Sequence, residues 1–315
     1  MNIKRFALAA LALLAGMCQA AADSSLTWQT NLNSVALQQG AKTIWQFHFG
    51  TNNSKPCFYT VALPDGPDLI WHRPPDHPWH LGLWFSWKYI NGVNYWEEDP
   101  KTGQLEGCTE WKSPVIETHS DYSSRITVNM MYRPSHGKPV LTEHRIIDIS
   151  PPNNRGEYWQ DWQMTFTALT QDVLLDRTPL ANENNGAPWG GYAGLSVRFA
   201  KDFQEARAVT DQGEIEYNGG YYRGRALAMD CSGLVDKREV GIAMFDNPKN
   251  PNTPSPWYAI NDKTMRYFSP AFLCFHSYTL KAGQSLTLRY RLIVHPGRWD
   301  SIRLKSERNN YLTDK

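Results

Sequence analysis

Apolar and polar residues alternate at period two along most of this chain. Trp45, Phe47 and Phe49 are interleaved with Gln46 and His48. The same alternation recurs in ITVNMMYR (126–133), EHRIIDI (143–149), DWQMTFTAL (161–169), AGLSVRFA (193–200), EVGIAMF (239–245) and SLTLRYRLIV (285–294). A two-residue period sends successive side chains to opposite faces of a strand. Turn formers separate the segments, among them Pro151-Pro152-Asn153-Asn154 and Asn247-Pro248-Lys249-Asn250-Pro251. No helical period intervenes until WDSIRLKSERNNYL (299–312), which predicts a short C-terminal helix. The pattern predicts an all-β protein, a large antiparallel two-sheet sandwich closed by that helix. With no repeat, linker or low-complexity tract, residues 23–315 read as a single β-sandwich domain.

The N-terminus breaks the pattern. Lys4 and Arg5 precede an apolar run from Phe6 to Met17, followed by Ala20-Ala21-Ala22. That order is a secretory signal peptide, assigned to residues 1–22, and the run is too short for a permanent span. Met17 disfavours a lipid anchor at Cys18. The mature protein is therefore expected in a bacterial periplasm or outside the cell, with no transmembrane anchor. Without Lys4 and Arg5 the chain carries 30 basic and 31 acidic residues. Near-zero charge and the lack of a basic run argue against nucleic acid as a partner. Cys57, Cys108, Cys231 and Cys274 are widely spaced and contain no CxxC, which disfavours a thiolate zinc site. In an oxidising compartment three disulfide pairings stay open, although Cys274, in the apolar run AFLCF, reads as a buried thiol.

The candidate chemistry concentrates in WHRPPDHPWHLGLWFSWKYINGVNYWEE (71–98). It holds His72, His77, His80, Arg73, Asp76, five tryptophans and the pair Glu97–Glu98. Aromatic rings offer flat apolar faces, and imidazoles and carboxylates move protons near neutral pH. Pro74, Pro75 and Pro78 forbid a regular helix or central strand, so His77 and His80 sit on a rigid loop entering the strand LGLWFSW. Three imidazoles can also bind zinc or copper, but H-x4-H-x2-H is not a known ligand spacing on a defined element. Asn91-Gly92 predicts a hairpin turn just before the carboxylate pair. Glu97 and Glu98 suit acid–base work only where their surroundings separate their pKa values; a solvated loop tip is the plain alternative.

Other candidates are more dispersed. Glu143 and His144 open a strand on opposite faces, so one of them can enter a cleft. NGAPWGGYAGLSVRF (185–199) sets Tyr192 and Arg198 among glycines that let a backbone approach a ligand. FDNPKNPNTPSPWYAI (245–260) reads as a rigid Asx-turn loop, with Trp257 a candidate ring for stacking. His276, in FLCFHSYTL, is a candidate for the far wall of the cleft. No serine elbow, phosphate-cradling glycine loop or dinucleotide fingerprint is present, which disfavours α/β-hydrolase, kinase and dehydrogenase chemistry.

Taken together, DHPWHLGLWFSWKYINGVNYWEE, GLSVRFA, MDCSG, FDNPKNPNTPSPWY and AGQSLTLRYRLIVHPG resemble a bacterial domain-of-unknown-function family labelled as a methane-oxygenase subunit, PmoA. The resemblance covers nearly the whole mature chain. Trp79 and Leu81 stand where many members carry His and Arg. A membrane copper monooxygenase needs several spans of about 20 apolar residues, and the mature sequence has none. The resemblance implies carbohydrate metabolism instead, and the layout is similar to galactose-mutarotase-like sandwiches, in which His and Glu act on a bound sugar.

These readings lead to an exported carbohydrate-active enzyme, a glycoside hydrolase or lyase before an epimerase. His77 and His80 would transfer protons, with Glu97 or Glu143 as the carboxylate. Arg73, Asp76, Trp79, Tyr192, Arg198, Trp257 and His276 would hold a carbohydrate substrate. No cofactor is required, and a metal ion is not expected. A non-catalytic glycan-binding protein is the rival from another class, and a metal-dependent oxidase stands third.

Overall fold

The structure is a computed structural model that describes residues 25–99 and 101–313; the expected signal peptide lies outside them. The alternating segments are strands, and every strand pair is antiparallel among the described residues. One sheet has nine strands. It runs in space through Leu26–Asn31, Ser34–Gln39, Lys42–His48, Cys57–Val61, Leu83–Ser86, Gly194–Arg198, Arg266–Pro270, Pro256–Asn261 and Tyr221–Arg225. The second has ten, with Arg238–Asp246, Ser285–Pro296, Tyr158–Ala168, Leu141–Ile149 and Ser124–Pro134 at its centre. A small four-stranded sheet includes the hairpin Tyr89–Ile90/Val93–Asn94. Asn91 and Gly92 both have positive φ there (50° and 79°), as an Asn-Gly hairpin turn requires.

The two large sheets pack face to face. Tyr158–Ala168 alternates buried and half-buried positions without a break, its inward row being Tyr158, Gln160, Trp162, Met164, Phe166 and Ala168. Across the interface Trp162 meets Phe58 at 5.8 Å between ring centroids, and Phe166 meets Phe85 and Trp87 at 5.1 and 4.9 Å.

The sheets differ on their outer faces. The long strands of the second sheet turn Thr165, Thr167, Asn129 and His144 outward, which is the signature of one solvated face. The middle of the first sheet has both faces covered. Leu83, Phe85, Trp257 and Phe268 point into the sandwich, while the alternate residues Trp84, Tyr258 and Tyr267 join a second apolar cluster with Trp96 and Leu81 on the opposite side. This explains why LGLWFSW is continuously apolar rather than alternating.

The C-terminal helix spans Ser301–Thr313. Asp300 caps it, its Oδ1 accepting from the Arg303 amide at 2.8 Å. Leu304 and Tyr311 pack on Phe245, Ile293 and Trp299, outside the second sheet. The run FLCFHSYTL does not form one strand. The sheet strand ends at Pro270, residues 271–274 make a buried turn closed by Cys274 N–H to the Ala271 carbonyl (2.7 Å), and only Tyr278–Leu280 is extended.

Candidate functional site

The histidine loop is built on the first sheet. The Trp71 amide donates to the Arg198 carbonyl and the Arg198 amide to the Gly82 carbonyl, both at 2.8 Å, so the loop's two ends grip the strand Gly194–Arg198. Inside these anchors, Arg73 N–H donates to His80 O at 2.7 Å, and His72 bridges Leu81. Two tight turns follow, His77 to Pro74 O at 3.0 Å and His80 to His77 O at 2.9 Å. Gly82 has φ +81°, and a Cβ there would stand 2.7 Å from the Phe58 carbonyl oxygen, so only glycine lets the loop enter the sheet at this angle.

A chain of charged groups then fixes one imidazole. Arg198 is buried; its Nη2 donates to both Asp76 carboxylate oxygens (3.0 and 2.8 Å) and to the Thr264 carbonyl (3.1 Å). Desolvation would raise the Asp76 carboxyl, but hydrogen bonds from Arg198 and His77 outweigh it and hold the group below its usual range. An ionised carboxylate only accepts, so His77 Nδ1, 2.9 Å from Asp76 Oδ2, is the donor. This geometry selects the Nδ1–H tautomer of the imidazole and leaves Nε2 as its basic nitrogen.

His80 lies beside it, with ring centroids 4.7 Å apart. It is 4% exposed and packed among Trp84, Trp96 and Tyr267, and its buried Nδ1 has no hydrogen-bond partner. Burial pushes its pKa well below the usual histidine value, so it is neutral. The cavity that His77 and His80 line is about 350 Å³, with Trp79, Trp96, Glu97, Trp189, Tyr192, Tyr221, Tyr258 and Tyr267 among its other walls. Asp262 and Thr264 add polar groups.

Glu97 faces the same cavity. Asn94 Oδ1 accepts from the Trp96 and Glu97 amides (2.9 and 3.2 Å), which turns the chain after the hairpin and aims the carboxylate. Glu97 receives hydrogen bonds from Lys88, from Asn94 Nδ2 and, at 2.9 Å, from the Tyr192 hydroxyl. Desolvation alone would raise its pKa; the Lys88 charge and these donors outweigh it, and the carboxylate stays ionised. Glu98 turns the other way and grips Arg73 with both oxygens, at 3.1 and 2.8 Å. Lys55 lies fully buried near Glu98, and desolvation draws its ammonium down to about 8 against the attraction of Glu98.

Residues 34–308 match the family of unknown function DUF6807. The chain belongs to this family. Among curated proteins none matches it. Of solved structures, it is similar to an α-galactosidase from Lactobacillus brevis at 7% identity and TM-score 0.44, over 85% of this chain and 39% of that one. It is also similar to a galactose mutarotase related enzyme from Lactobacillus acidophilus, at 9% identity and TM-score 0.35, over 86% and 97%. At these scores neither likeness bears on the chemistry of the DUF6807 chain.

Of the residues expected from sequence, the DUF6807 fold brings His77, His80, Glu97, Trp79 and Tyr192 to one cavity, with Asp76 and Arg198 directly behind His77. Four expectations need correction. Glu143 points into the sandwich, where both its oxygens bind Arg145 (2.6 and 3.1 Å) and Tyr132 donates to it. Its side chain is 0% exposed, and it is not among the residues that line the cavity of His77 and His80. Trp257 is 0% exposed on the core side, its Nε1 donating to the Ala226 carbonyl; its neighbour Tyr258 takes the cavity face, because one residue along a strand reverses direction. His276 is exposed beyond the end of the strand and borders Glu183 rather than the cavity. Arg73 is occupied by Glu98 and is not among the lining residues.

His72 parts from the other two histidines. Its ring lies against Tyr59 at 3.9 Å, and Tyr59 stacks on His48 at 4.3 Å. Among the described residues no group of three His, Cys, Asp or Glu side chains is placed to hold a metal ion. All four described cysteines are free thiols. No helix among the described residues is long and apolar enough to cross a membrane. Sequence reasoning missed Lys88, Trp96, Trp189, Tyr221, Tyr258, Asp262 and Tyr267. One of them carried a usable signal: Lys88 is a lone cation in an apolar run.

Proposed function

We propose that this protein is an exported carbohydrate-active enzyme whose cavity under the histidine loop transforms a sugar at a glycosidic or anomeric centre, with bond cleavage the favoured outcome. The observation that carries this reading is the meeting of a carboxylate-oriented imidazole, His77, and an ionised carboxylate, Glu97, on one aromatic-walled cavity. Aromatic walls suit the apolar faces of a sugar ring, and a few convergent polar groups fix its orientation.

The two titratable groups take different roles. His77, with Nδ1 committed to Asp76, offers Nε2 as the site that accepts or delivers a proton. Glu97 is held ionised by Lys88, so it serves as a base or as a stabiliser of developing positive charge, not as the acid. Neutral His80 is a buried wall whose ring packs against His77. Trp79, Trp96 and Tyr192 supply ring faces.

The test is mass spectrometry of products from a panel of oligosaccharides and 3-oxidised glycosides, run with the mature protein and with folded His77→Ala and His80→Ala variants. Product made by the parent and lost in His77→Ala supports the reading. Saturable sugar binding without turnover leaves a glycan-binding protein in its place. Turnover that survives both substitutions keeps the enzyme and removes the site from this loop.

A further inference from the structure

Trp189 is 52% exposed and is the one tryptophan left in solvent among the described residues. Exposing an indole forgoes the large burial gain this side chain offers. Its loop is nevertheless not loose. Arg223 Nε donates to the Gly190 carbonyl at 2.7 Å, its Nη2 donates to the Pro188 carbonyl, and the Tyr258 hydroxyl donates to the Trp189 carbonyl at 2.9 Å. Three consecutive carbonyls are thus held by side chains from the neighbouring strands of the first sheet. The loop's own amides add to this: Ala187 N–H donates to Pro179 O (3.1 Å) and Gly191 N–H to Thr178 O (2.9 Å). A Cβ at Gly190 would stand 1.9 Å from the Pro179 carbonyl oxygen, so the peptide after Trp189 lies directly on that segment.

Trp189, on this anchored loop, borders the cavity that holds His77, His80 and Glu97. That cavity, about 350 Å³, is at the small end of ligand sites, which places one ring-sized ligand within it. The buried walls Trp96, Tyr258 and Tyr267 close its floor, whereas Trp189, Thr264 and the half-buried Tyr221 and Asp262 stand towards solvent. Asp262 Oδ1 accepts from the amides of Thr264 and Met265 and from the Thr264 hydroxyl, so the turn that carries it is fixed as well. The solvent side therefore has an apolar plate carried on an anchored backbone and a fixed polar edge. A pyranose ring has the matching surfaces, an apolar C–H face and a rim of hydroxyls.

Resting on the sugar-transforming reading above, we propose that the substrate class is a glycoside of at least two sugar rings, one ring enclosed beside His77 and Glu97 and the next stacked on Trp189. Trp189 then acts in binding the outer ring and touches none of the reacting atoms.

The experiment measures calorimetric affinity of the mature protein for methyl glycosides of glucose, galactose and mannose and for the corresponding disaccharides. Trp189→Ala and Trp189→Phe are run in parallel, with the product assay on the same sugars. The expected result is a disaccharide bound about tenfold more tightly than its methyl glycoside, in line with one added ring–aromatic contact. Trp189→Ala abolishes that preference, lowering disaccharide affinity far more than methyl-glycoside affinity, and Trp189→Phe keeps most of it. Equal affinity for both members of a pair in the parent overturns the proposal, as does a preference that persists in Trp189→Ala; either leaves the sugar reading standing. A parent that neither binds nor converts any of these sugars overturns both together.

Discussion

Glu97 and Glu143 are both half of an ion pair on an aromatic-rich strand system, yet their surroundings assign them opposite work. Glu143 is sealed between the two sheets, with Arg145 lying over Phe85 and Trp162 at 5.7 and 5.5 Å. The Glu143 and Arg145 side chains are 0% and 1% exposed, so the pair meets no solvent. Glu97 sits on the far side of the first sheet, a quarter exposed, with its cation buried behind it and a cavity in front. A carboxylate closed on all sides can only balance charge. One neutralised from behind keeps an oxygen face for a ligand, and its neighbour across the cavity is an imidazole whose proton is already placed by Asp76. The difference lies in which side of the ion pair is open, and no feature of the two glutamates alone reveals it.

The comparison breaks first at catalysis. Glu97→Gln and His77→Ala should each lower turnover by about 10²–10⁴-fold, the usual worth of a positioned acid or base; His77→Ala should hardly move the melting temperature, whereas Glu97→Gln leaves buried Lys88 without its carboxylate and lowers it too. Steady-state rates and calorimetry on the same preparations check this. Glu143→Ala should do the reverse. Removing one member of a buried pair leaves Arg145 uncompensated and costs about 3–5 kcal/mol, read from denaturant unfolding, while the folded fraction keeps its turnover.

Lys55 sharpens the contrast with a third buried charge. Its pKa falls from the usual 10.5 to about 8, chiefly through desolvation, so in the folded state it binds a proton less readily than in the unfolded chain. The parent therefore gains stability as pH rises from 8 to 10.5, and the cost of the buried ammonium is complete below pH 8. Lys55→Met should be more stable than the parent by about 2–3 kcal/mol at pH 7, and the gap should close by pH 10.5, in paired urea titrations. A gap that is flat with pH would show that Lys55 is not the titrating group. The smallest effect is expected at Asp76→Asn. The Arg198 bond persists in part, but His77 loses its fixed tautomer, and turnover should fall about tenfold, read from steady-state rates.

Much of this fold was legible because period two survives where one sheet face is wet, as along 126–133, 143–149 and 161–169, and because turn formers bound the more fully buried segments. The strands expected at 126–133, 143–149, 161–169, 239–245 and 285–294 are strands, and the helix begins two residues later than expected because Asp300 is its cap. Legibility failed where both faces are covered. In the first sheet, Trp257 and Tyr258 are equally aromatic, and nothing local shows that the core takes the first and the cavity the second. The run AFLCF is as apolar as a strand, yet it is a buried turn, so His276 is carried away from the cleft. Rigid-loop chemistry was readable at His77 and His80 because three prolines constrain the segment. The partners that give His77 its role, Asp76 beside it and Arg198 more than a hundred residues on, needed the fold to bring them together.

The most direct test sets the two glutamates against each other in one assay. Product formation by mass spectrometry is compared for the parent, Glu97→Gln and Glu143→Gln, each normalised to its folded fraction, over the oligosaccharide and 3-oxidised glycoside panel. The account predicts product from the parent and from Glu143→Gln at similar specific rates, and its loss in Glu97→Gln. Parental turnover in Glu97→Gln, or loss confined to Glu143→Gln, would contradict it and move the chemistry away from the cavity beneath the histidine loop.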